Sequence, residues 1–303
     1  MFVNTSTIPI STIAHALLYL DSFCKANNRK LIKTQSFTPN SLNFIFDGTP
    51  LSNTEIANLK DSNVRLGLIL TERLYLQNNN LTYNGNAWNE KSELRIDPYT
   101  DTKRLFHLLQ LIPLCECIVI LGDVFDSGEL GHIFPSTRIL QIPFPEIQES
   151  TVHDHVPKFD YVISFPSGGG VDSEYRKRVI EHMKEVGCEI EIIFESEIDK
   201  WAHRVSNGRI NLHIPKNSFW KYSSPLRTFA SIFFGVQPGI FLGGNQVEIF
   251  SEIDSMQLRV NFENCTNLPK DALGRSKLIR EYNQLVSNRR NGYLTRDVLT
   301  ALA

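Results

Sequence analysis

Two rhythms of apolar residues alternate along the chain, one with the three-to-four-residue spacing of helices and one of short continuous runs. Residues 11–26, STIAHALLYLDSFCKA, bring Ile13, Ala16, Leu17 and Leu20 to one face and predict a helix with Ser11 as cap. LNFIFDG (42–48) and VRLGLIL (64–70) predict buried strands on either side of a helix at SNTEIANLKDS. TDTKRLFHLLQLI predicts a further helix, and CIVILGD (117–123) and ILQIPFP (139–145) two more strands. A second series then begins: YVISFPS, a helix over about 173–186, EIEIIF, a helix around EIDKWAHRV, and RINLHIP. SSPLRTFASIFFGVQPGIF (223–241) follows, polar at its start and apolar through its middle. A last helix is predicted over 274–288, where Leu278, Tyr282 and Leu285 recur at helical spacing.

Strands alternating with helices favour parallel sheets covered by helices. The polar segment EIQESTVHDHVPK (146–158) separates the two series and reads as a linker. The expected organisation is α/β, with a Rossmann-like domain over 1–150, a second over 151–273, and a C-terminal helix and tail over 274–303. A chain of 303 residues is long enough for two such cores.

Composition narrows the partners more than the chemistry. A net charge of −2 gives no electrostatic footprint for nucleic acid. The five cysteines (Cys24, Cys115, Cys117, Cys188, Cys265) lack zinc spacing, and their odd number argues against a complete disulfide framework, so buried thiols are expected. The start MFVNTSTIPIST lacks the pattern of a signal peptide. LFHLLQLIPLCECIVIL is interrupted by His107, Gln110, Pro113 and Glu116, which argues against a membrane span. The expectation is a cytoplasmic protein, with the basic segment after residue 274 as a candidate for peripheral contact with anionic lipid.

In open α/β sheets ligands bind beyond the carboxyl ends of the strands. Two loops there carry candidate chemistry. In SFPSGGGVDSEYRKRVIEHMKEVG (164–187) a strand runs through Ser167, Gly168, Gly169 and Gly170 into a helix. Such a loop can cradle a phosphate, and it serves equally as a flexible connection capped by Asp172 or Ser173. In RINLHIPKNSFWKYSSPLRTF (209–229), Ser223 or Ser224 caps a helix that has Pro225 at its first position. Arg227 then lies in the first turn, where the helix dipole disfavours a cation unless an anion joins it. His213 and Trp220 read either as packing residues or as ligand contacts. Phe229 to Phe234 form the buried helix body, Gly235 its C-terminal stop, and GIF (239–241) the next strand.

This order of elements, with S-P-L-R-T-F-x-x-x-x-F-G-V-Q-P-G, resembles the donor-binding half of the GT-B glycosyltransferases. The resemblance covers about 110 residues by its motifs and the first half by its pattern of elements. It implies two Rossmann-like domains facing each other across a cleft, a nucleotide-sugar donor as co-substrate in the second, and an acceptor in the first. Many retaining members carry two glutamates around this helix; the corresponding positions here hold Tyr222 and Ala230, so no catalytic glutamate is carried over and the stereochemistry stays open.

The implied activity is sugar transfer, hexosyltransferase-like, to a glycan, lipid-linked or protein acceptor. Loss of the diphosphate requires positive charge, helix dipoles or a metal. No D-x-D metal motif occurs in the chain, which leads to an expectation of metal-independent chemistry without a cofactor. The donor site expected from the resemblance and the loops comprises Ser167, Gly168, Gly169, Gly170, His213, Lys216, Tyr222, Ser223, Ser224 and Arg227, with Lys221 as a further cation. An acceptor base would come from a strand end of the first domain: Glu72, Asp47 or Asp123. Asp47 and Asp123 read equally as helix caps, whereas glutamate caps poorly, which favours Glu72. The competing reading is a GT-B-like protein that binds a nucleotide or a partner and transfers nothing.

Overall fold

The computed structural model describes residues 1–5, 10–47, 49, 51–71, 74–77, 80–83, 107–122, 127–148, 156–165, 173–195, 197–215, 224–243, 252–267 and 274–287. Two parallel sheets, each with helices between its strands, make two Rossmann-like units. One unit gathers Met1–Pro9 and Phe23–Phe144, the other Ile10–Ser22 and Pro145–Arg289.

In the first unit the strands are β1 (Phe2–Asn4), β2 (Ile32–Thr34), β3 (Leu42–Phe46), β4 (Arg65–Leu70), a separate hairpin of β5 (Leu74–Gln77) and β6 (Asn80–Tyr83), β7 (Cys115–Leu121) and β8 (Arg138–Ile142). The main sheet runs β2-β1-β3-β4-β7-β8 and all its pairs are parallel. Its central strands are apolar on both faces, as a doubly covered sheet requires: Leu68, Ile69, Leu70, Ile118, Val119 and Ile120 are buried. Glu116 interrupts the apolar run because it sits near the strand's start, exposed and paired with Arg65 at 2.7 Å. Helix α2 (Asn53–Lys60) follows β3 and opens with a capping box between Ser52 and Glu55. Helix α3 (Ser127–Ile133) follows β7.

The second unit has the order β10-β9-β11-β12-β13, again parallel throughout, from β9 (Phe159–Ser164), β10 (Ile190–Ile193), β11 (Gly208–His213), β12 (Gln237–Phe241) and β13 (Leu258–Val260). Its helices are α4 (Glu174–Glu185), α5 (Ile198–Val205), α6 (Pro225–Phe233) and α7 (Arg275–Ser287), joined by residues 10–22 of α1 (Ile10–Ala26). Helix α4 is capped by the Ser173 side chain, which accepts from the Arg176 amide. Helix α6 stops as its sequence predicts, with Gly235 at φ +73° just beyond the last turn. The following strand begins two residues earlier than expected, at Gln237, and contains Pro238. That proline is tolerated because β13 pairs with β12 only from Gly239 onward.

The centre of this unit is aromatic. Phe229 of α6 meets Tyr19 of α1 at 5.1 Å and Tyr282 of α7 at 6.0 Å between ring centroids. The Tyr282 hydroxyl donates to the Pro145 carbonyl at 2.8 Å, and the Asn283 side chain both accepts from and donates to the Ile147 backbone. Helix α7 is thereby a packed element over its described span. All five cysteines are free and buried. Among the described residues, no helix is long and apolar enough to cross a membrane.

Candidate functional site

The strand order of the second unit places a topological switch point at β9 and β11: the chain leaves β9 for β10 on one side and returns to β11 on the other. Ligands bind at such points, beyond the carboxyl ends of the strands. A small pocket, partly open to solvent, lies here. It is lined by Ser164 from the end of β9, Asn211 and His213 from β11, Pro238 and Gly239 from β12, Arg227, Thr228 and Ser231 from α6, His15 from α1, and Gln257. Gly239 is dictated by packing, since a Cβ there would lie 2.6 Å from the Ile210 side chain.

A hydrogen-bonded scaffold fixes these walls. The Ser164 hydroxyl donates to Asn211 Oδ1 at 3.3 Å, and Asn211 Nδ2 donates to the Ser231 hydroxyl at 2.9 Å. Ser231 in turn donates to the Arg227 carbonyl one helical turn back. On the other side Gln257 donates to the Thr228 hydroxyl, which donates to buried Asp254 at 3.2 Å. Both networks hold α6 in place against the sheet.

Helix α6 has Ser224 at its N-cap position with extended backbone and Pro225 next; the Ser224 hydroxyl makes no capping hydrogen bond, and Ser223, the other expected cap, lies outside the described residues. The first turn presents the positive end of the helix dipole, and Arg227 lies in that turn. His213 Nδ1 is buried and has no hydrogen-bond partner among the described residues.

Four basic side chains act on one another here. Burial, and then the charge on Arg227, hold His15 well below its ordinary histidine value. His213 is held there by burial, Arg227, Arg176 and His15. Arg176 of α4 is buried, donates its Nε to the Ile214 carbonyl at 2.8 Å, and stands 5.0 Å from the centre of the Phe165 ring. Its guanidinium is pushed down to about 9 by burial and by Arg227. No carboxylate lies among the described residues lining the pocket. The arrangement suits an anion: Arg227 lines the pocket, Arg176 lies close enough to act on the same histidine, and His213 Nδ1 has no hydrogen-bond partner among the described residues. General acid–base chemistry by a carboxylate is not offered by these lining residues.

Of the residues expected from the sequence, His213, Ser224 and Arg227 are brought together near this pocket, and His213 and Arg227 line it. Ser167, Gly168, Gly169, Gly170, Lys216, Tyr222 and Ser223 lie outside the described residues, as do Trp220 and Lys221. So do two of the three base candidates, Glu72 and Asp123. The third, Asp47, is buried at the end of β3, where it accepts from the Thr71 hydroxyl at 2.6 Å and the Thr71 amide at 3.2 Å. It thereby ties the ends of β3 and β4 together.

His15, Arg176, Asn211 and Ser231 were not anticipated. For Arg176 a signal exists: it lies three and four residues before Val179 and Ile180, on the apolar face of α4, where an unpartnered charge has no place. His15 lies between the buried Ala14 and Ala16 of α1, with its ring edge-on to Trp201 at 4.7 Å.

No family model matches the chain, and no curated protein matches it. Solved structures do, over most of its length. The crystal structure of TarM has 10% sequence identity and a TM-score of 0.41, with 86% of this chain and 53% of that chain covered. A mutant of TarM from S. aureus, solved with fondaparinux, alpha-GlcNAc-glycerol and UDP, gives 10% identity, a TM-score of 0.43, and coverage of 85% and 54%. The glycotransferase of kitacinnamycin gives 10% identity and a TM-score of 0.44 over 99% of this chain and 97% of that one. The chain spans about half the length of TarM.

Proposed function

We propose that the protein is a glycosyltransferase that binds the diphosphate of a nucleotide-sugar in the pocket of the second unit. The observation that supports this reading best is a pocket lined by Arg227 and His213 at the switch point of a parallel sheet, next to the first turn of α6 and with Arg176 acting on the same histidine. Glycosyl transfer releases a nucleoside diphosphate, and negative charge grows on it as the sugar bond breaks. Preorganised cations and a helix start stabilise that charge most where water is sparse, which is the situation of a buried cluster. These groups supply the charge that a metal-dependent transferase would take from its ion, and we propose metal-independent transfer of a hexose.

The acceptor base is assigned in this proposal to Glu72, with Asp123 and Asp47 as the alternatives. The hydrogen bonds from Thr71 make Asp47 the weakest of the three, because they engage both of its carboxylate oxygens. The acceptor class is a glycan, a lipid-linked sugar or a protein.

A second reading, a nucleotide-binding protein of the same architecture that transfers nothing, is favoured by one residue. Ala230, at a position where many retaining GT-B enzymes carry glutamate, is fully buried in α6 and offers no chemistry. A panel of nucleoside diphosphates led by UDP, followed by an assay for hydrolysis of the corresponding sugar nucleotides, separates the two. Thermal stabilisation with hydrolysis supports the transferase; stabilisation alone supports the binder; neither response refutes both.

A further inference from the structure

The pocket contains a group whose state in the absence of ligand is at odds with its surroundings. His213 ends β11 with its Nδ1 buried and unpartnered among the described residues. The charged and titratable groups that act on it come from three elements: Arg227 on α6, Arg176 on α4 and His15 on α1. The buried carboxylate of the neighbouring network, Asp254, accepts from Thr228. An imidazolium at position 213 would therefore be repelled by two guanidinium groups, of which Arg227 lines the pocket with it, and by a second imidazole. Burial and those cations hold the ring neutral, and the same causes act on His15.

An anion entering the pocket reverses this balance. It brings negative charge beside Arg227, and it brings an acceptor for a nitrogen that has no partner among the described residues. We propose that the pocket takes up its anion together with one proton, held on His213, so that the diphosphate of the donor binds more tightly as the pH falls through the neutral range. The proposal rests on the reading of the pocket as an anion site. It adds that the neutral imidazole becomes a charged hydrogen-bond donor only in the complex, which keeps the empty pocket from carrying a third buried charge.

Inorganic sulfate is the appropriate first probe, because it keeps both charges throughout the neutral range and any pH dependence belongs to the protein. Uptake of one full proton changes the binding constant tenfold per pH unit. Sulfate affinity is therefore expected to weaken by about 3- to 10-fold from pH ~6.5 to ~7.5. In His213→Gln the profile should flatten to less than about 2-fold, while His15→Gln should keep the slope. The same titration with UDP, corrected for the ligand's own ionisation, should show the same protein term.

Should His213→Gln fail to fold, imidazole nitrogen shifts of the wild-type protein give the answer directly. On sulfate addition at neutral pH, His213 should move from neutral to imidazolium values. Binding of sulfate with no pH dependence would overturn the proton uptake while leaving the anion site standing. Loss of the slope in His15→Gln alone would overturn the assignment to His213. Absence of binding by both sulfate and UDP at every pH would refute the anion site, and this proposal with it.

Discussion

Lowering the pH should destabilise the second unit through the two histidines of the pocket, and the size of the effect follows from their surroundings. In an unfolded chain each titrates near about 6.5. In the folded unit both are held well below that value by burial and by Arg227. Between the two values the unfolded state binds more protons than the folded one, so stability rises with pH there. The contribution is complete above about 6.5 and is lost as the pH falls through the folded values. At pH ~5.5 an unfolded histidine is about ten-elevenths protonated, and keeping one neutral in the fold costs roughly RT ln 11, about 1.4 kcal/mol. Two independent histidines would cost about 3 kcal/mol, a large share of the ~5–15 kcal/mol typical of a domain. Urea unfolding at pH ~7.5, ~6.5 and ~5.5, read by hydrogen exchange of peptides within 208–241, isolates this unit from the other. A His213→Gln variant should lose about half of the slope. A stability of the 208–241 segment that does not change between pH ~7.5 and ~5.5 would refute the argument that these histidines are buried neutral among cations.

Three further outcomes follow from named contacts. Arg227→Ala should weaken nucleoside diphosphate binding by ~1.5–3 kcal/mol, roughly 10- to 150-fold, measured by calorimetry, and unchanged affinity with an intact fold would move the diphosphate elsewhere. Tyr282→Phe leaves the buried Pro145 carbonyl without its donor and should cost ~1–3 kcal/mol in denaturant unfolding, whereas truncation after Leu273, which removes the buried side chains of α7, should lower the melting temperature much further. Glu72→Gln, which keeps the shape and removes the ionisable group, should leave donor binding intact and slow transfer by ~10²-fold or more; retained transfer would redirect attention to Asp123 and Asp47.

The features legible in the sequence were those with strong local rules. The Ser224-Pro225 start and the Gly235 stop of α6 fall where propensity places them, as do the long apolar runs of β4 and β7. Strands of three residues, β1, β2 and β13, escaped because so short a segment shows no alternation; they exist through the pairing their neighbours provide. The antiparallel pairing of Leu74–Gln77 with Asn80–Tyr83 was hidden in an asparagine-rich stretch that reads as a loop. For the site, Arg227 was visible because an arginine in a first helical turn is locally unfavourable. Arg176 reads as the first of three consecutive basic residues on an amphipathic helix, and His15 lies 198 positions before His213 in the chain. What unites them is the folded sheet order, which brings helices from distant segments to the end of β11.

The most direct measurement is a crystal structure of the protein with UDP bound. The account predicts the diphosphate in the pocket at the ends of β9 and β11, with its oxygens within hydrogen-bond reach of Arg227 and His213 and near the first amides of α6. A diphosphate bound away from Arg227, with this pocket empty, would contradict it.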